Sequence, residues 1–239
     1  EQPLIITILD DSNEPLVVED VIGPAGGVYG PGATLQFTLA LSRPANVAGR
    51  PELPIRVGGV DRSATYAAGA GSMRLTFTYQ VRSTDRSGEV TVRSAVAQTK
   101  KSFGITAGGF RLAPSLPHPG AVLPGVQIDT VGPVAVGLLD GPVTGTYRAG
   151  TVIRFRVTYS EPVRVAGVPV IRLSLGEGRT RTVEAAYESG SDTTVLTFAY
   201  MVKAEDAMRA GRWLAIADAV TLPAGASIVD AASNPAQLA

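Results

Sequence analysis

The chain contains no cysteine, which excludes disulfide staples, thiolate chemistry and cysteine-based zinc sites together. It has one histidine, His118. That residue lies in the run Pro117-His118-Pro119-Gly120 and reads as a solvated loop residue, since one imidazole alone does not make a triad or a metal cluster. Neither sign of charge is in excess, with 21 basic and 21 acidic residues, so the electrostatic footprint of a nucleic-acid binder is missing. No apolar run reaches the roughly 18 residues a membrane helix needs. The first residue is Glu1 and no charged-then-apolar leader follows, which leads us to expect an internal piece of a longer protein.

What is present favours a folded, all-β chain. Hydrophobic residues make up 45% of the 239, enough to build a core and to set global disorder aside. The 27 glycines and 17 prolines are scattered between short apolar runs, as turns between many short strands require.

The strongest signal is an internal repeat. Tyr29, Gly32, Phe37, Ser42, Pro44, Val47, Ala48, Gly49, Pro51 and Gly58 recur 118 residues later as Tyr147, Gly150, Phe155, Ser160, Pro162, Val165, Ala166, Gly167, Pro169 and Gly176. The same offset carries Pro15 onto Pro133 and Val18 onto Val136. After a three-residue insertion the match resumes at offset 121, taking Tyr66, Gly69, Leu75, Phe77, Tyr79, Val81 and Asp85 onto Tyr187, Gly190, Leu196, Phe198, Tyr200, Val202 and Asp206. Three segments follow: residues 1–14 as the closing strand of a preceding repeat plus a linker, 15–132 as repeat one, and 133–239 as repeat two without its last strand.

Within each unit the apolar residues keep period two, the mark of a strand with one buried face. Leu35, Phe37, Leu39 and Leu41 alternate with polar or small neighbours, as do Ile153, Phe155, Val157 and Tyr159. A second strand carries Leu75, Phe77, Tyr79 and Val81, repeated as Leu196, Phe198, Tyr200 and Val202. A third carries Leu53, Ile55 and Val57, repeated as Ile171, Leu173 and Leu175, and a fourth ends at Tyr66 or Tyr187. Val90 and Val92 predict a fifth strand in unit one, where unit two instead shows a helical stretch over 203–209 followed by Trp213. Phe110 with Leu112, then Val126 with Ile128, complete unit one. About seven or eight short strands per unit with frequent turns predict two antiparallel sandwiches of immunoglobulin-like architecture.

The series Ser160-Glu161-Pro162-Val163, Gly167, Pro169, Leu173, then Tyr187, Gly190, Leu196-Thr197-Phe198, Tyr200 and Asp206, then Asp230 to Asn234, resembles the Ig-like tandem repeats of large bacterial cell-surface proteins and adhesins. The linker Ile128 to Pro133 resembles a boundary between such repeats. The resemblance implies a non-catalytic spacer or adhesive array, extracellular or on the bacterial surface, with neighbouring repeats and host or matrix glycans or proteins as partners. Unit one departs from the pattern, with Ser42-Arg43-Pro44-Ala45 in place of the acidic turn and Pro114 to Pro117 standing where Asp230 to Asn234 would be. An accessory or carbohydrate-binding module of a secreted polysaccharide-active enzyme is the alternative, and it requires exposed coplanar aromatics.

No other motif displaces this expectation. The glycine-rich run from Gly26 to Gly32 precedes a strand, so it reads as a turn and not as a phosphate cradle. Calcium is the one ion worth testing, with Asp129, Glu161, Asp206 and Asp230 as candidates, although no Asp-x-Asp-x-Asp-Gly loop is present. Arg154, Arg156, Arg172, Arg179 and Arg181 form a basic set in unit two that nearby glutamates balance into a mixed surface. Trp213 reads as a core plug, and Pro114 to Pro117 as a connecting loop despite its PxxP form. Leu4 to Leu9 forms an apolar run placed to pair with an open sheet edge within or between molecules. No catalytic set and no other cofactor is expected.

Overall fold

The computed structural model describes residues 15–93, 104–113, 115–118, 120–138, 144–176, 181–206 and 214–238. It is all-β and β-sandwich-like. The chain divides into two compact units, Glu1–Thr130 and Val131–Ala239.

Unit one holds β1 (Val18–Ile22), β2 (Gly27–Tyr29), β3 (Thr34–Ala48), β4 (Glu52–Val57), β5 (Val60–Ala68), β6 (Ser72–Gln80), β7 (Gly88–Val92), β8 (Gly104–Ala107), β9 (Phe110–Arg111) and β10 (Val122–Ile128). They join in the order β2-β10-β7-β4-β5-β6-β3-β8-β9, with β1 also on β3. Every pairing is antiparallel except that of β10 with β2. Leu35, Phe37, Leu39 and Leu41 of β3 face inward and meet Leu53, Ile55, Leu75 and Phe77 in one apolar core.

Unit two holds β11 (Ala135–Leu138), β12 (Val152–Ala166), β13 (Val170–Leu175), β14 (Arg181–Ser189), β15 (Thr193–Met201), β16 (Leu214–Thr221) and β17 (Ser227–Val229). Their order is β11-β12-β15-β14-β13-β16, with β17 also on β12. The repeat is visible in the register: Phe37 lies opposite Phe77, and Phe155 opposite Phe198.

β3 and β12 are long because each takes a further partner along its second half. The first half of β3 pairs with β6, and the ladder then breaks between Ala40 and Ala45. Its last residues pair with β8 instead, Val47 opposite Ile105. β12 repeats this, with a break between Thr158 and Val163 before Val165 meets Ile228 of β17. Pro44 and Pro162 fall inside these breaks, where a residue without an N–H costs no ladder bond.

Three sequence expectations need correction. Gly27 to Tyr29 lies in a strand and not wholly in a turn, because β10 runs beside it. After the stretch expected to be helical, whose described part is a 3-10 helix over Ala204–Asp206, unit two has a strand, β16, that the sequence reading lacked; residues 207–213, Trp213 among them, lie outside the described residues. Pro114 to Pro117 is not the counterpart of Asp230 to Asn234. In unit one the N–H of Leu112 closes a hairpin on the carbonyl of Ile105, and in unit two the N–H of Ala236 closes one on Ile228. Ile105 and Ile228 pair with Val47 and Val165, so Gly108-Gly109 is the turn that Asp230 to Asn234 replaces.

Candidate functional site

The most elaborate side-chain arrangement in each unit sits just after its second long core strand. Tyr79 ends the inward series of β6, and its hydroxyl donates to Oδ2 of Asp85 at 2.6 Å. The same oxygen accepts the N–H of Arg82 at 2.9 Å. Arg62 of β5 donates through Nε to Oδ1 at 2.7 Å. The carboxylate of Asp85 has no exposed surface, so three donors, one of them the Arg62 cation, compensate its removal from water. Burial pushes the Asp85 carboxyl up, but the bonds from Tyr79, Arg82 and Arg62 outweigh it and hold the group below the ordinary 3.8. Burial and the neighbouring carboxylate raise Tyr79.

Unit two builds the same device. The Tyr200 hydroxyl and the Lys203 N–H both donate to Oδ2 of Asp206. Arg181 donates to Oδ1 at 2.9 Å and also reaches Glu205 at 3.0 Å. Burial pushes the Asp206 carboxyl up, and the bonds from Tyr200 and Lys203 with the charge of Arg181 bring it below its ordinary value. The recurrence of Tyr79-Asp85 as Tyr200-Asp206 was visible in the sequence, but its meaning was not. Both oxygens of Asp206 accept from donors, and Arg181 places a positive charge beside them.

The other three candidate acids lie elsewhere. In unit one, Asp129 follows β10, accepts from the Ser87 hydroxyl at 3.1 Å and donates its N–H to the carbonyl of Tyr29. In unit two, Glu161 of β12 and Asp230 bring carboxylate oxygens within 4.8 Å of each other. Asp230 is 2% exposed and organises its own turn. Its Oδ1 accepts the Asn234 N–H and its Oδ2 the Asn234 side-chain amide, both at 2.8 Å, while Ser233 takes φ 68°.

A second duplicated feature was missed in the sequence. Tyr66 packs edge-on against Phe77 and its hydroxyl accepts the Ala70 N–H. Tyr187 does the same with Phe198 and Ser191. The signal available was the shared spacing to Gly69 and Gly190, whose φ values of 106° and 112° turn the chain back beneath each tyrosine.

Three arginines of the basic set in unit two are paired with acids. Arg154 forms two bonds with Glu188, at 2.7 and 2.8 Å, Arg172 lies 3.8 Å from Glu184, and Arg181 is taken by Glu205 and Asp206. Arg179 lies outside the described residues. A shallow depression beside Asp206 is lined by Arg181, Glu184, Tyr200, Met201 and Lys203, a mixture of both signs. His118 is exposed, with its carbonyl closing a turn on Ala121. No helix among the described residues is long and apolar enough to cross a membrane.

In comparisons with known proteins, no family model and no curated protein matches the chain.

Proposed function

We propose that the chain is a pair of Ig-like β-sandwich repeats from a bacterial surface or secreted protein, acting without catalysis as a spacer or adhesive segment. The duplicated acid staple carries this reading. In each unit a buried aspartate ties the loop after a central strand to a tyrosine on that strand and an arginine on its neighbour. Such a device commits its charges to holding the fold, which suits a protein whose task is to remain folded and extended between other parts. The alternative glycan module requires coplanar exposed rings, and Tyr147 is the exposed aromatic among the described residues.

Stretching single molecules of the full chain between its ends tests the proposal. It predicts two resisted unfolding steps, each lengthening the chain by roughly 35 to 40 nm, from about 3.5 Å per extended residue. Extension without resisted steps contradicts it.

A further inference from the structure

The loop between β6 and β7, residues 81–87, is fixed to the core strands on both of its flanks. On one side the Asp85 carboxylate accepts from Tyr79, Arg62 and the Arg82 N–H, and the Asp85 N–H donates back to the Arg82 carbonyl at 3.0 Å. On the other side the loop rests against the turn between β4 and β5. A Cβ at Gly58 would stand 2.0 Å from the Arg86 carbonyl oxygen, so backbone meets backbone there. The Gly58 N–H also donates to the Glu89 carbonyl at 3.0 Å.

The same loop reaches the linker through three hydrogen bonds. The Thr130 hydroxyl donates to the carbonyl of Asp85 at 2.8 Å. The Thr130 N–H donates to the Ser87 hydroxyl at 3.1 Å, and that hydroxyl donates to Oδ1 of Asp129 at 3.1 Å, so Ser87 uses its acceptor and its donor together. β10 ends at Ile128, where its ladder with β7 stops opposite Gly88. Unit one nevertheless extends to Thr130. The Asp129 N–H is taken by the Tyr29 carbonyl, and both described bonds of Thr130 go to the loop.

We propose that residues 81–87 strap the start of the linker to unit one, and that the Asp85 carboxylate, by fixing this loop, sets how firmly Asp129 and Thr130 are held. Asp85 serves both ends of the device. Its side chain is bonded to Tyr79 and Arg62 of the core strands, and its carbonyl holds the linker. Loss of the carboxylate leaves the two atoms that Thr130 uses, the Asp85 carbonyl oxygen and Ser87 Oγ, chemically intact. It removes what positions them. The linker then lets go of the loop while β10 stays paired with β7, and unit one ends in effect at Ile128.

Amide hydrogen exchange in the full chain, followed by NMR at Thr130 and at the amides of β3 and β6, tests this. In the wild type the Thr130 amide should exchange about tenfold or more slowly than in an open chain. Ser87→Ala removes its acceptor and should abolish that protection. Asp85→Asn leaves both atoms bonded to Thr130 in place, yet should speed its exchange by about threefold or more, with β3 and β6 still slow. Should Asp85→Asn open β3 and β6 as well, Tyr79→Phe, which removes one bond to the carboxylate, is expected to give the same selective change at smaller amplitude. An unprotected Thr130 amide in the wild type, protection that survives Ser87→Ala, or protection indifferent to the staple variants overturns the inference. Exchange at Thr130 reads the strap whether or not the chain serves as a spacer.

Discussion

Arg62 and Arg181 fall two residues apart in the duplicated frame, yet each guanidinium reaches the buried carboxylate of its own unit. At offset 121, Arg181 is the counterpart of Val60, and Arg62 that of Val183. A shift of two along a strand keeps a side chain on the same face. The long arginine arm covers the remaining distance, to Asp85 at 2.7 Å and Asp206 at 2.9 Å.

The two arrangements should therefore be exchangeable. Arg62→Val leaves the Asp85 carboxylate buried without its cation and should cost about 3 kcal/mol. Adding Val60→Arg, which copies unit two into unit one, should restore most of that loss. Urea midpoints of the wild type, the single and the double variant check this, and no recovery in the double variant contradicts it.

Acid should loosen both staples. Asp85 and Asp206 are held below their ordinary 3.8 in the folded chain, so the folded state binds fewer protons than the unfolded one near that pH. The stability they contribute is complete above that value and is lost as pH falls through the lower folded values. Melting temperatures recorded from pH 6 to pH 2 should drop below about pH 4. Asp85→Asn combined with Asp206→Asn should flatten that drop.

Tyr159 presents the opposite case. It is 2% exposed and its hydroxyl has no hydrogen-bond partner among the described residues, and burial pushes that hydroxyl up to about 12. Its counterpart in unit one is Leu41, which has no polar atom to satisfy. Tyr159→Phe should stabilise unit two by about 1 kcal/mol, because a buried unsatisfied group is removed at almost constant shape. A lower unfolding midpoint for the phenylalanine variant contradicts this.

Gly190 should resist substitution. A Cβ there would stand 2.1 Å from the Val195 carbonyl oxygen, and φ is 112°, a region that L side chains rarely adopt. Gly190→Ala should cost about 2 kcal/mol or more, with Gly69→Ala behaving alike. Gly150→Ala, where space is open at φ 87°, should cost less. Equal losses at Gly190 and Gly150 in a denaturation series contradict the steric part of this account.

Much of the strand framework was legible because alternation survives in sequence wherever one face is buried. The series through Phe37 and Phe77, and their copies at Phe155 and Phe198, follow that rule and are buried. β16 was missed because alanines dilute its alternation of Leu214, Ile216 and Val220. The staples were half legible. The Tyr-to-Asp spacing recurs, but an arginine that moves by two residues breaks the alignment while preserving the contact. Asp230 was legible as an acid and not as the anchor of a turn, since its partner Asn234 declares itself only when the hairpin closes.

Scanning calorimetry of the full chain carrying Asp206→Ala tests most directly the claim that one fold occurs twice, each copy fastened by its own buried acid. Two transitions are expected, one lowered by the loss of about 3 to 5 kcal/mol and the other unmoved. A single transition, or two that fall together, contradicts it.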